Sequence, residues 1–140
     1  GDTDLGILPT SSDPTKAGND WIVLRYADVL LMHAEAVLSG GQSTTSTNAL
    51  ASFQEVRNRA GLTTLVTEIT KEDLLNERRV ELAFENHRLF DLIRMGEAAT
   101  VLGAFSSANS LSFSSTDLLL PIPQREIGLS NGLLTQNPGY

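Results

Sequence analysis

The sequence predicts an all-α fold of tetratricopeptide-like helix pairs, a long third helix and an irregular, Pro-containing C-terminal arm. Three observations predict it: an almost unbroken apolar run from Trp21 to Leu38, an amphipathic period over residues 48–60, and a capped run from Thr70 to Gly96. Two stacked helix pairs of this kind resemble tetratricopeptide units without their consensus residues. A chain of 140 residues and 15.1 kDa is long enough for one domain.

Taken in order, residues 1–20 carry Pro9, Pro14 and Gly18 among hydroxyl residues without apolar periodicity. They read as an irregular segment leading into a helical region over 21–140. They lack the basic and apolar stretches of a signal peptide, so an export signal is expected upstream or not at all. The run from Trp21 to Leu38 is interrupted only by Arg25, Asp28, His33 and Glu35, and Gly40 and Gly41 stop it. It reads as a buried helix, because charges inside a bilayer-spanning segment are costly.

A polar loop separates it from residues 48–60, where Ala49, Leu50, Phe53, Val56 and Ala60 share one face and Gln54, Glu55, Arg57 and Arg59 lie off it. Gly61 is expected to close this helix in a left-handed cap. The two helices form an antiparallel pair.

Thr70 is expected to cap the third helix, with Asp73 completing a capping box and Ile69 stapling onto Leu74. Its apolar positions, among them Leu74, Leu75, Leu82, Leu89, Phe90, Leu92 and Ile93, occupy about half the circumference at 100° per residue. Gly96 ends it. A short helical segment follows to Leu102, then a Ser/Asn-rich loop over 103–117. In LLLPIPQREI, Pro121 and Pro123 favour extended or turn backbone, and the tail to Tyr140 reads as coil.

Composition excludes several functions. With 17 acidic against 10 basic side chains the net charge is −7, which opposes nucleic-acid binding. The absence of cysteine removes disulfide scaffolds, thiolate metal sites and cysteine nucleophiles. His33 with Glu35 and Glu85 with His87 are two apart, whereas ligands on one helical face sit three or four apart, so no metal site is expected. No phosphate-cradling loop or nucleophile elbow is present, and no cofactor is expected.

The informative feature is charge on apolar helices, which is costly unless paired. Arg25, Asp28 and Glu35 form one polar seam; Arg78, Glu81, Glu85 and Arg88 form another. The two seams are expected to face each other, with Glu35 receiving an arginine of the third helix. The competing reading is acid–base chemistry, a carboxylate-dependent glycoside hydrolase built on Glu77, Glu81 or Glu85. That chemistry needs two carboxyl groups about 5 to 9.5 Å apart across an open cleft, which apolar surroundings disfavour. Trp21 either packs against the helix pair or stacks on a sugar. A third reading is a helical protein-interaction scaffold with a concave surface.

The segments NDWIVLRYADVLLMHAEAVL (19–38), ALASFQEVRNRAGL (49–62), LLNERRVELAFENHRLFDLIRMG (74–96), LLLPIPQREI (118–127) and LTQNPGY (134–140) resemble, in order, the signature blocks of the SusD/RagB family. His33 and Leu89 depart from that pattern, standing where an aromatic residue and Trp are frequent. The resemblance implies the C-terminal part of a larger helical protein, with Tyr140 as its natural end. It implies a non-catalytic, lipid-anchored nutrient-binding protein of the outer-membrane surface. Such a protein works with a SusC-like TonB-dependent transporter and holds an oligosaccharide or other nutrient. It is expected to touch the membrane only through an upstream lipid anchor. Family ligand contacts lie mostly upstream of these blocks, which leaves Trp21 as the candidate here and no catalytic residue.

Overall fold

The computed structural model describes residues 22–140; Trp21 and the leading segment 1–20 lie outside the described residues. The first helix, α1 (Tyr26–Leu38), begins later than the apolar run predicts. Residues 22–25 are non-helical, and Arg25 closes them in extended backbone at φ −137° and ψ 160°. Arg25 and Asp28 therefore do not share a helical face. The strand-favouring Ile22 and Val23 suit this conformation. Ser39 and Gly40 end α1 in left-handed backbone at φ 50° and 75°.

Helix α2 (Thr47–Arg59) returns antiparallel, burying Ala49, Phe53 and Val56 against Leu30, Leu31, Ala34 and Leu38 of α1. Gln54, assigned by periodicity to the outer face, is buried instead. Its Nε2 donates to Asn58 Oδ1 and the Leu62 carbonyl, and its Oε1 accepts from the Val66 amide at 3.0 Å. Gln54 thereby satisfies backbone groups of the irregular 60–68 connection, which has no ladder of its own. Two short strands, β1 (Ser43–Thr44) and β2 (Ile69–Thr70), pair antiparallel, Ser43 opposite Thr70. This clip, absent from the sequence reading, ties the α1–α2 turn to the start of the third helix.

That helix, α3 (Lys71–Glu81), opens on the predicted capping box. Thr70 Oγ1 accepts from the Asp73 amide, and Asp73 Oδ2 accepts from the Thr70 amide, each at 3.0 Å. Ile69 and Leu74 both enter the main core.

The long third helix does not continue to Met95. It stops at Glu81, and α4 (Arg88–Arg94) resumes after a turn in which Phe84 and Asn86 take φ 67° and 63°. The reason lies in Arg78 and Asp91. In one continuous helix, thirteen positions apart, they would sit about 20 Å apart along the axis. The break folds α4 back so that Arg78 Nε meets Asp91 Oδ2 at 2.8 Å. Gly96, at φ 74°, ends α4.

Helix α5 (Ala98–Ala108) runs six residues past the expected end at Leu102. Ala104, Phe105 and Ala108 extend its helical composition, and Ser106 is buried, so the serines here do not make a loop. A second small core joins Leu75, Leu92 and Ala98, with Leu102 and Leu118 against it.

A short 3₁₀ turn (Ser115–Leu118) precedes the Pro-containing stretch, which is extended to Pro123 and then gives a six-residue helix, α6 (Gln124–Leu129). Pro121 and Pro123 cannot donate to a strand partner, and the terminal residues take over the pairing. Gln136 bonds both the amide and the carbonyl of Ile122, Asn137 Nδ2 donates to the Leu120 carbonyl, and Tyr140 OH donates to that of Leu119. Gly139 is required here. Its φ is 93°, and a Cβ would lie 2.8 Å from the Thr116 side chain.

Candidate functional site

Charge on apolar helices resolves into three arginine nodes. The deepest is Arg78, a 3%-exposed residue on α3 whose Nη1 donates to Asp28 Oδ1 and whose Nε donates to Asp91 Oδ2, both at 2.8 Å. Asp28 and Asp91 are also buried, so one guanidinium joins α1, α3 and α4 inside the molecule. Its planar fork suits two carboxylates approaching from different elements.

The second node lies at the head of α1. Arg25 Nε donates to both carboxylate oxygens of Glu85, at 3.0 and 2.8 Å, and Nη1 donates to Glu81 Oε1 at 2.6 Å. Its other amino group reaches the Glu81 carbonyl, and Arg59 reaches Glu81 Oε2 at 2.6 Å. The Glu85 bonds, with those of Glu81, raise the Arg25 pKa above its ordinary value although burial opposes them. Burial alone would push the Glu81 carboxyl upward; the hydrogen bonds and charges of Arg25 and Arg59 outweigh it and hold the group below the usual carboxylate range.

The third node is Arg94 on α4, which bridges Glu35 of α1 and Asp91, the latter at 2.6 Å. Burial lowers the Arg94 pKa, against the attraction of Asp28. Arg94 belongs to the segment read as the third helix, but the turn at 82–87 is what carries it to Glu35. Arg88 does not join either seam. Its Nη1 donates to the Leu75 carbonyl at 2.9 Å, and burial followed by repulsion from Arg79 lowers its pKa. The helix break separates it from Glu85. Asp91 and Arg94 are the members that sequence reasoning missed. Their only signal was three-residue spacing on a helix, which does not distinguish them from a solvated pair.

These nodes leave little for acid–base chemistry. Glu77 accepts from Arg57 at 2.9 Å, and Glu81 and Glu85 are held by Arg25. A hydrolytic acid needs a raised pKa and Glu81 has a lowered one. His33 Nδ1 is 2.8 Å from the buried Ser52 Oγ, a structural contact between α1 and α2. Among the described residues no group of three His, Cys, Asp or Glu side chains is arranged to hold a metal, and no helix is long and apolar enough to cross a membrane.

Two grooves flank the nodes. One, of about 450 Å³, lies between α3 and α5 and includes Lys71, Asn76, Arg88 and Glu97 in its wall. Lys71 is already engaged there, by Glu97 at 2.5 Å and the Met95 carbonyl at 3.1 Å. The other, of about 630 Å³, lies between α1 and α4, with Met32, Ala36 and Phe90 on its walls and the Arg78 and Arg94 pairs around them. Neither carries the pair of aromatic faces that a sugar-binding platform uses. Trp21, the sequence candidate for that role, lies outside the described residues.

A paired-helix scaffold whose buried charges are consumed in holding helices together defines a structural segment of a binding protein. The SusD family pattern matches residues 7–140, and the chain belongs to that family. It is 31% identical over 139 residues to SusD-like protein P2 of Formosa agariphila, an alignment covering 89% of this chain and 27% of that protein. Against the starch-binding protein SusD of Bacteroides thetaiotaomicron it is 31% identical over 134 residues, 92% of this chain and 23% of the other.

Among solved structures, a laminarin-binding SusD-like protein superposes with a TM-score of 0.73 at 34% identity, over 97% of this chain and 27% of that one. The surface glycan-binding protein A from Bacteroides thetaiotaomicron gives a TM-score of 0.69 at 37% identity, over 88% of this chain and 26% of that one. The chain thus spans about a quarter of the length of the relatives it matches.

Proposed function

We propose that this chain is the C-terminal helical region of a non-catalytic, cell-surface protein that captures an oligosaccharide or related nutrient. The observation that carries the reading is family membership, together with two relatives whose names record starch and laminarin binding. The arrangement of charge supports a scaffold role: carboxylates that a glycosidase would need are engaged by arginines. The ligand contacts belong mainly to polypeptide outside the described residues. Handing the ligand to a SusC-like TonB-dependent transporter, and anchorage to the outer membrane by an upstream lipid, complete the same proposal.

The test is isothermal calorimetry on the natural-length protein with starch- and laminarin-derived oligosaccharides and a wider glycan panel, beside an assay for release of reducing ends. Saturable binding without turnover supports the proposal. Turnover sinks the non-catalytic reading, and no binding to any glycan sinks the carbohydrate reading. Co-purification with an outer-membrane transporter from the native host tests the delivery step; its loss in mild detergent at every salt concentration would count against it.

A further inference from the structure

Helix α1 has two apolar faces. One meets the core through Leu31, Ala34 and Leu38. The other, Tyr26, Val29, Met32 and Ala36, recurs at helical spacing on the outside, where Tyr26 is 65% exposed and Val29 and Met32 are each 40% exposed. Phe90 projects from α4 into the same groove as Met32 and Ala36 and is 60% exposed. Beyond His87, in the adjoining hollow, Phe84 is 99% exposed and held at φ 67°. Left-handed backbone disfavours an aromatic residue, and full exposure of its ring adds a second cost. Phe84 gains nothing within these 140 residues that offsets either.

The charges around the groove do not recruit an ionic ligand. Arg78 and Arg94 are taken up by Asp28, Asp91 and Glu35. Glu35 Oε2 is buried without a hydrogen-bond partner and marks the place for one donor. A trough between two helices, with apolar knobs repeating every three or four residues, matches the ridge of a third helix.

We propose that this face receives an amphipathic helix of the same polypeptide, from the portion that relatives about four times longer carry outside the matched segment. That helix seats its apolar stripe on Val29, Met32 and Phe90 and sets a side-chain donor against Glu35 Oε2. The length of the relatives favours this occupant over a second copy: this segment accounts for 27% of one relative and 23% of another, so most of the family fold lies elsewhere and needs an apolar surface to pack on. The inference does not depend on which ligand the protein binds.

Hydroxyl-radical footprinting of the natural-length protein, read by mass spectrometry at Met32, Phe84 and Phe90, tests it. The expected result is labelling about tenfold slower than in the urea-unfolded chain, unchanged between dilute and concentrated protein. Labelling at the unfolded rate in dilute, folded protein would overturn the proposal, as would protection that appears only on concentration, which assigns the face to a second copy. Met32→Glu gives an independent reading in the same protein. It lowers the urea midpoint if the face is covered, and an unchanged midpoint overturns the inference.

Discussion

Arg78 and Arg25 perform the same topological task in different surroundings. Each links the α1 segment to the third-helix segment, Arg78 from the interior and Arg25 from the edge, where about a quarter of its side chain is exposed. Arg78 joins two carboxylates that are themselves buried; Arg25 joins Glu85, also partly open, and Glu81, which Arg59 shares. The contacts are of similar length, so geometry does not separate the two nodes. Solvent does. Removing one partner of a buried pair strands a charge that water cannot reach, whereas an edge pair loses an attraction that water largely replaces.

The largest effect is therefore expected for Arg78→Met, a loss of about 3–5 kcal/mol, read from urea unfolding of the natural-length protein. Adding Asp28→Leu and Asp91→Leu to that variant sharpens the point. If the cost is stranded charge, the triple variant is more stable than the single one; if it is lost attraction, it is no better. Arg25→Ala is expected to cost less, about 1–2 kcal/mol, and its effect shrinks as salt is added.

This node also carries a pH signature. Because Glu81 is held below its ordinary value of 4.5, its stabilisation is present above that pH and is lost as pH falls through the lower folded-state value. Glu81→Gln is expected to flatten that acid limb; a limb of unchanged steepness would break the assignment. Glu35→Ala, at the partly open Arg94 node, is expected to cost about 1 kcal/mol in thermal or urea unfolding. Arg59→Ala, whose side chain is 65% exposed, is expected to change stability by less than about 0.5 kcal/mol. An Arg59 effect as large as that of Arg78 would remove burial as the distinguishing variable.

The elements that were legible are those with local causes. The Thr70–Asp73 capping box, the left-handed stop at Gly61 and the α2 face of Ala49, Phe53 and Val56 each arise within a turn or two of chain. The pairing of Glu35 with an arginine of the third-helix segment followed from the cost of unpaired buried charge. The helix break at 82–87 was not legible, because leucines and arginines on both sides of it are good helix formers and Phe84 and Asn86 carry no obligatory stop signal. Gln54 was misplaced for a related reason: periodicity ranks it polar, and only the irregular 60–68 segment reveals the backbone groups it must satisfy.

The sequence by itself determined that this chain is helical and belongs among SusD/RagB-like blocks, and that its charged residues on apolar helices need partners. Capping, periodicity and desolvation act at short range and leave their mark in residue order. Only the tertiary structure decided which partners meet. Arg78 chooses Asp28 and Asp91, Arg25 spans more than fifty residues to Glu81 and Glu85, and Arg88 turns away to the Leu75 carbonyl. Several acids compete for each guanidinium at the level of sequence. Which of them wins depends on where a six-residue turn redirects the third helix, and that turn is stabilised by the contacts it creates.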